Sequence, residues 1–352
     1  MTERKRKSNL ELLRILAMGF IILIHLAPEI DMNNLGLTGT YGYVFGGAIV
    51  GICNIGVSCF CLISGYFGIK FSMKKFLKME IMMIMLSLLE TVVLYFVFPQ
   101  EMQGAALLEQ LAKSLFPFVS RKYWFYSCYV CIFIFSGFIE KLISALDKKE
   151  MKRLVLLLLL VFSVFPTMFY FEIMQDAGKG LVQMFMLYLV GRYIRLYRDV
   201  KVDKLNAVVA LGALWAVNTI SIMNPLTIGS ITHSLCRDNS ITNIAMAVIL
   251  LYIFKDIDFS SKWVNKFTAN MFAVFALENS VVTIGAELLT RSGFSCENAV
   301  AGTLILLGIV ALIFVVCIVI GGLRELIFGK LEKKITAAGE GVFEKAVRRV
   351  RL

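Results

Sequence analysis

Apolar residues in this chain come in long, nearly unbroken runs rather than at the three-to-four spacing of a surface helix. Runs near 10–28, 48–68, 76–98, 123–143, 154–171, 181–197, 205–223, 240–254, 267–288 and 299–322 lie close to the span of a bilayer, for which a helix needs about 20 residues. In lipid every backbone N–H and C=O must be satisfied within the segment, so such runs form helices. The pattern predicts an all-α polytopic membrane bundle of about ten transmembrane helices. Two stretches depart from it. Residues 99–122 hold the moderately amphipathic LLEQLAKSLFPFV, which predicts an interfacial helix. Beyond Arg324, Leu326, Ile327, Leu331 and Ile335 recur at helical spacing among lysines, predicting a helix on the inner leaflet. The expected organisation is a transmembrane domain over 1–325 and a cytoplasmic basic amphipathic tail over 326–352.

Composition agrees: 59% of the 352 residues are hydrophobic and 17% charged, against about 45–50% apolar in soluble domains. The first run is too long for a cleavable signal and is expected to stay as an anchor. The net charge of +11 reports orientation in such a chain rather than nucleic-acid binding. With the amino terminus inside, 29 of the 36 Lys and Arg fall on inner segments, six on outer loops, and Arg14 within the first span. That asymmetry predicts both termini in the cytoplasm of a multi-pass plasma-membrane protein. Most of the eight cysteines lie in or beside spans as small apolar residues. Cys236 and Cys296 are both external, which leaves a disulfide between them open, with free thiols the expected state. Two histidines and no zinc-like spacing argue against a metal centre.

The informative residues are those the runs ought not to contain. Arg14 and His25 stand eleven positions apart on the first helix, hence about 20° apart around it and about 16 Å along it. They share one stripe, Arg14 near one membrane surface and His25 deep toward the other. Glu90 lies about 18 Å beyond Lys78, and Glu278 about 18 Å beyond Lys266. Ionisable groups at such depth normally face a protein interior or a wet cavity and mark function. The plainer readings are a neutral His25 bonding a neighbouring helix, and an Arg14 paired with Glu11 and snorkelling to water. Lys70, Lys74, Lys75 and Lys78 form a basic cluster at Arg14's end, either a topology signal or a docking rim for phosphates. Arg192, at the inner end of the sixth run, belongs to the same rim. Ser64 is a modest polar group in the second span. Tyr123 and Trp124 form an aromatic belt or a sugar-stacking face at the outer start of the fourth.

Taken in order, several stretches resemble the bacterial multi-pass membrane acyltransferases of acyltransferase family 3. Arg14, ten residues and then His25 match its first-helix signature, with Glu11 at the preceding acidic position. NIGVSCFCLISGYF resembles its second-span motif, ending in Ser64-Gly65-Tyr66, and MKKFLK its inner basic segment. KYWFYSCYV, YLVGRYIRLY and DNSITNIAMAVIL resemble later spans. The resemblance covers about residues 5–325 and the same ten-helix topology. In ANMFAVFALENS a late histidine common in the family is missing, and Glu278 falls at or next to its place. The extra extracellular domain of some larger members is also missing, so transfer would be completed by the membrane part or by a separate acyl-accepting protein.

The resemblance implies transfer of an acyl group, most often acetyl from acetyl-CoA, to a hydroxyl of a surface glycan or lipid-linked sugar, without a metal. CoA phosphates would dock at Arg14, with Lys74, Lys75, Lys78 and Arg192 as further contacts. His25 would be general base for the acceptor or would carry the acyl group itself. Glu90 or Glu278 would orient the ring, and Ser64, Tyr123 and Trp124 would meet substrate. The competing class is a transporter or acyl-carrier shuttle without chemistry, which mid-membrane charges suit equally. Transporters often carry internal repeats, and none is clear here.

Overall fold

A computed structural model describes residues 8–350 apart from 171, 225 and 227–229, with side chains as far as 345. The helices are α1 (Asn9–Glu29), α2 (Gly39–Cys53), α3 (Gly56–Phe67), α4 (Met73–Val97), α5 (Ala105–Leu115), α6 (Trp124–Ala145) and α7 (Lys148–Leu159). After a π-helical turn at Leu160–Val164 come α8 (Phe165–Phe169), α9 (Leu181–Tyr197), α10 (Lys204–Met223), α11 (Ile241–Lys255), α12 (Lys262–Ala269), α13 (Met271–Arg291) and α14 (Ala299–Val350). No strand occurs among the described residues.

Among the described residues, eight helical stretches are long and apolar enough to cross a membrane: α1, α2 with α3, α4, α6, α7 through α8, α10, α13 and α14. The sixth and eighth expected spans are helices too, but of 17 and 15 residues, about 25 and 23 Å long. The expected second span begins earlier than its apolar peak, because the uncharged, glycine-rich stretch from Gly39 already coils as α2. A Cβ on Gly51 would stand 2.6 Å from Thr219 Oγ1 of α10, so missing side chains let these helices touch. Another close approach joins α3 to α9. There a Cβ on Gly65 would lie 2.1 Å from the Tyr188 carbonyl oxygen, and one on Gly191 2.3 Å from that of Leu62.

Helix α1 runs between two packed cores. Leu10, Leu13 and Ala17 pack with buried residues of α3, α6, α9 and α11. Met18, Ile22 and Leu26 pack with those of α4, α13 and α14. The start of α1 is tied down as well: the Ser8 hydroxyl donates to Asn265 Oδ1 at 3.0 Å and accepts from the Ser261 N–H at 2.8 Å. Asn9 Nδ2 donates to the Lys255 carbonyl at 2.8 Å. These ties set both the depth and the rotation of the helix that carries Arg14 and His25. The expected interfacial segment contains α5. The tail residues continue α14 without a break as far as Val350. Cys236 and Cys296 are free thiols.

Candidate functional site

Arg14, Met18, Ile21 and His25 descend one stripe of α1. The first three line a chamber of about 240 Å³ together with Val57, Phe60 and Ser64 of α3, Met79 of α4, Phe125 and Tyr129 of α6, and Phe272 and Phe275 of α13. Its walls are apolar except at the Arg14 end. The Arg14 guanidinium donates to Glu11 at 2.9 Å and lies 5.7 Å above the Phe67 ring. Toward the other end the aromatic side chains meet as a layer, Phe60 to Phe125 at 6.3 Å and Phe125 to Phe275 at 5.2 Å between centroids.

One helical turn past Phe275 on α13 is Glu278, and one turn past Ile21 on α1 is His25. They meet: His25 Nδ1 is 3.0 Å from each Glu278 carboxylate oxygen. The carboxylate side chain is 4% exposed and the imidazole 43% exposed. A shielded acid therefore holds an accessible ring by one nitrogen, and the Nε2 edge carries no hydrogen bond to the described residues. With Nδ1–H donated to the carboxylate, the Nε2 lone pair is the free one. The next charges that act on His25 are Lys179 and Asp238, in the loops before α9 and α11. Buried Asp238 accepts from Asn54 Nδ2 at 3.3 Å, and burial pushes its carboxyl up to about 6. Sequence reading had not connected these two loops with His25, because nothing in the spacing ties them to α1.

Glu90 does not touch the imidazole. It accepts from the Tyr123 and Ser280 hydroxyls, and Lys122 Nζ is 3.1 Å away. Lys122 also donates to Ser114 Oγ at 2.9 Å and Thr91 Oγ1 at 3.2 Å. The structure thus brings Glu278 to the imidazole and gives Glu90 to a knot joining α4, α5, α6 and α13. That knot forms one wall of an outer pocket of about 540 Å³. Tyr123 serves the knot through its hydroxyl. Trp124 packs edge-on to Phe125 at 6.1 Å, and Ser64 lines the chamber while donating to its own helix at Phe60.

The basic cluster divides. Lys74 and Lys78, one turn apart, face a cleft of about 770 Å³ between α4 and α14. Lys70, Lys75 and Arg192 line a separate mouth of about 640 Å³ that shares Phe67 with the Arg14 contact. Arg192 is pinned there by Glu140 at 2.7 Å, which also accepts from Tyr188 at 2.7 Å. Among the described residues no group of His, Cys, Asp and Glu is arranged to hold a metal ion.

Compared with known families, residues 7–322 match the model of the acyltransferase domain Acyl_transf_3, nearly the whole chain. No curated protein and no solved structure matches it.

Proposed function

Because this chain belongs to acyltransferase family 3 and is thus a multi-pass membrane acyltransferase, we propose that it takes an acyl group, acetyl first among them, from acyl-CoA. The acceptor is a hydroxyl of a cell-surface or lipid-linked polysaccharide, and the setting is the bacterial plasma membrane with the basic end in the cytoplasm. The observation that carries this reading is the His25–Glu278 contact one turn beyond a chamber that begins at Arg14.

Donor phosphates meet Arg14, with Lys75 and Arg192 at the adjoining mouth, since several cations focus an anion. The pantetheine arm extends along the Met18–Ile21 face through the apolar chamber, which excludes water from the thioester. His25 Nε2 then takes the acceptor hydroxyl's proton as its oxygen bonds to the thioester carbonyl carbon. When the tetrahedral adduct collapses, the carbon–sulfur bond breaks and the CoA sulfur leaves with the proton from the imidazolium. Glu278 keeps Nδ1–H oriented and stabilises the transient positive ring, as the acid does in a hydrolase triad. The shuttle reading lacks a use for an oriented imidazole with one free nitrogen.

The test compares cells carrying wild-type protein with cells carrying H25Q, measuring base-labile acyl groups on envelope glycans and membrane levels of the protein. Loss of the esters at unchanged protein level is expected. Retained esters would overturn the proposal. General-base chemistry further predicts no stoichiometric burst of CoA thiol when purified protein meets acetyl-CoA without acceptor, whereas an acyl-histidine route gives one.

A further inference from the structure

We propose that the cleft between α4 and α14 is a binding site for the headgroup of an anionic glycerophospholipid, separate from the transfer site. The cleft, about 770 Å³, presents Lys74 and Lys78 from α4 and Lys330 and Lys333 from α14, against Glu325 and Glu332. Neither Lys74 nor Lys78 borders the Arg14 chamber.

Two buried polar groups line this cleft, and one of them is already ion-paired. Glu332 and Thr336 are each 5% exposed, and Glu332 Oε1 and Thr336 Oγ1 make no hydrogen bond. Glu332 Oε1 is ion-paired with Arg324 Nη1 at 3.1 Å, and Arg324 Nε makes no hydrogen bond. Buried polar atoms are ordinarily satisfied, so the Thr336 hydroxyl in the cleft is left for a partner from outside the chain. A phosphodiester supplies acceptors to the lysines. A headgroup hydroxyl bonds the Thr336 hydroxyl. A basic pocket between spanning helices is the kind of place where such headgroups bind.

The adjoining surface distinguishes a lipid from a free phosphate. Leu323, Ile327 and Leu331, spaced one turn apart on α14, are 51%, 65% and 52% exposed, and Leu326 lines the cleft itself. An apolar stripe beside a cationic pocket fits acyl chains beside a phosphate, and a free anion makes no use of it.

The experiment is native mass spectrometry of the full-length protein in detergent with dioleoyl phosphatidylglycerol or dioleoyl phosphatidylcholine. Phosphatidylglycerol should be retained far more tightly. K330Q/K333Q should cut its retention by about 30-fold, as expected for two headgroup lysines. T336V, which leaves every charge in place, should weaken it several-fold and covers the case in which the lysine variant detaches the tail. Equal retention of the two lipids, or loss in neither variant, would overturn the site. So would displacement of phosphatidylglycerol by 3′,5′-ADP, which would assign the cleft to soluble phosphates.

Discussion

His25 and Glu278 are 253 residues apart in sequence, and His25 Nδ1 is 3.0 Å from both oxygens of the Glu278 carboxylate. The two-oxygen approach fixes the ring plane as well as its tautomer, which a single contact would not. E278Q keeps the shape and one acceptor but removes the charge that opposes imidazolium. Turnover should fall by about 10²–10⁴-fold, with the KM for acyl-CoA little changed because Arg14 is untouched. Steady-state CoA release by purified protein with an acceptor glycan measures both. A raised KM at constant kcat would show that Glu278 acts on binding instead.

Among the described residues Arg14 is the only charged one lining the chamber, and it is held by Glu11 at 2.9 Å. R14Q should raise the KM for acyl-CoA by about tenfold or more, the worth of one charge-assisted hydrogen bond, at nearly constant kcat. R14K should recover part of the loss by keeping the charge without the planar fork. A fall in kcat alone would place Arg14 outside the donor site.

Helical periodicity made much of the first helix legible. Arg14 and His25 fall on one stripe whatever the rest of the chain does, and the structure keeps them there. Spacing along α4 was legible too, with Glu90 twelve residues or about 18 Å beyond Lys78, whereas a break at Asn270 parts Lys266 from the helix of Glu278. Rotation was not, because it depends on neighbours. Glu278 reaches α1 only because α13 packs against it, while Glu90 turns to Ser280 and Tyr123. The division of the lysines could have been read, since residues 74 and 78 share a helix face and residue 75 stands about 100° away. The α3–α9 contact could not have been. Gly65 and Gly191 look like many membrane glycines until a facing carbonyl oxygen lies 2.1 Å from where a Cβ would be.

The knot at Glu90 makes a prediction of the opposite kind. Lys122 and Glu90 have side chains only 9% and 8% exposed, so removing one strands the other in a poorly solvated place. E90A should cost about 3–5 kcal/mol of stability, read as a lowered thermal midpoint in detergent. Transfer per folded molecule should stay close to wild type. In E90Q/K122M neither charge is left unpaired, and part of the midpoint should return. Inactive but fully stable E90A would instead put Glu90 in the chemistry.

Asp238 adds a pH dependence outside the spanning segments. Its carboxyl titrates at 3.8 when exposed and is pushed up to about 6 by burial, with Lys179 and the Asn54 amide opposing that shift. Between those values the folded protein holds a proton that the unfolded chain has lost. The contribution of this group to folding is therefore full below pH 3.8 and is lost as the pH rises through about 6. At neutral pH the ionised carboxylate costs on the order of 3 kcal/mol relative to acid. D238N keeps an acceptor for Asn54 and removes the titration. It should raise the thermal midpoint above the wild-type value at pH 7–8, and the two curves should converge toward pH 4. A D238N midpoint that stays parallel to wild type across that range would mean the carboxyl titrates as an exposed one, with water reaching the loop before α11.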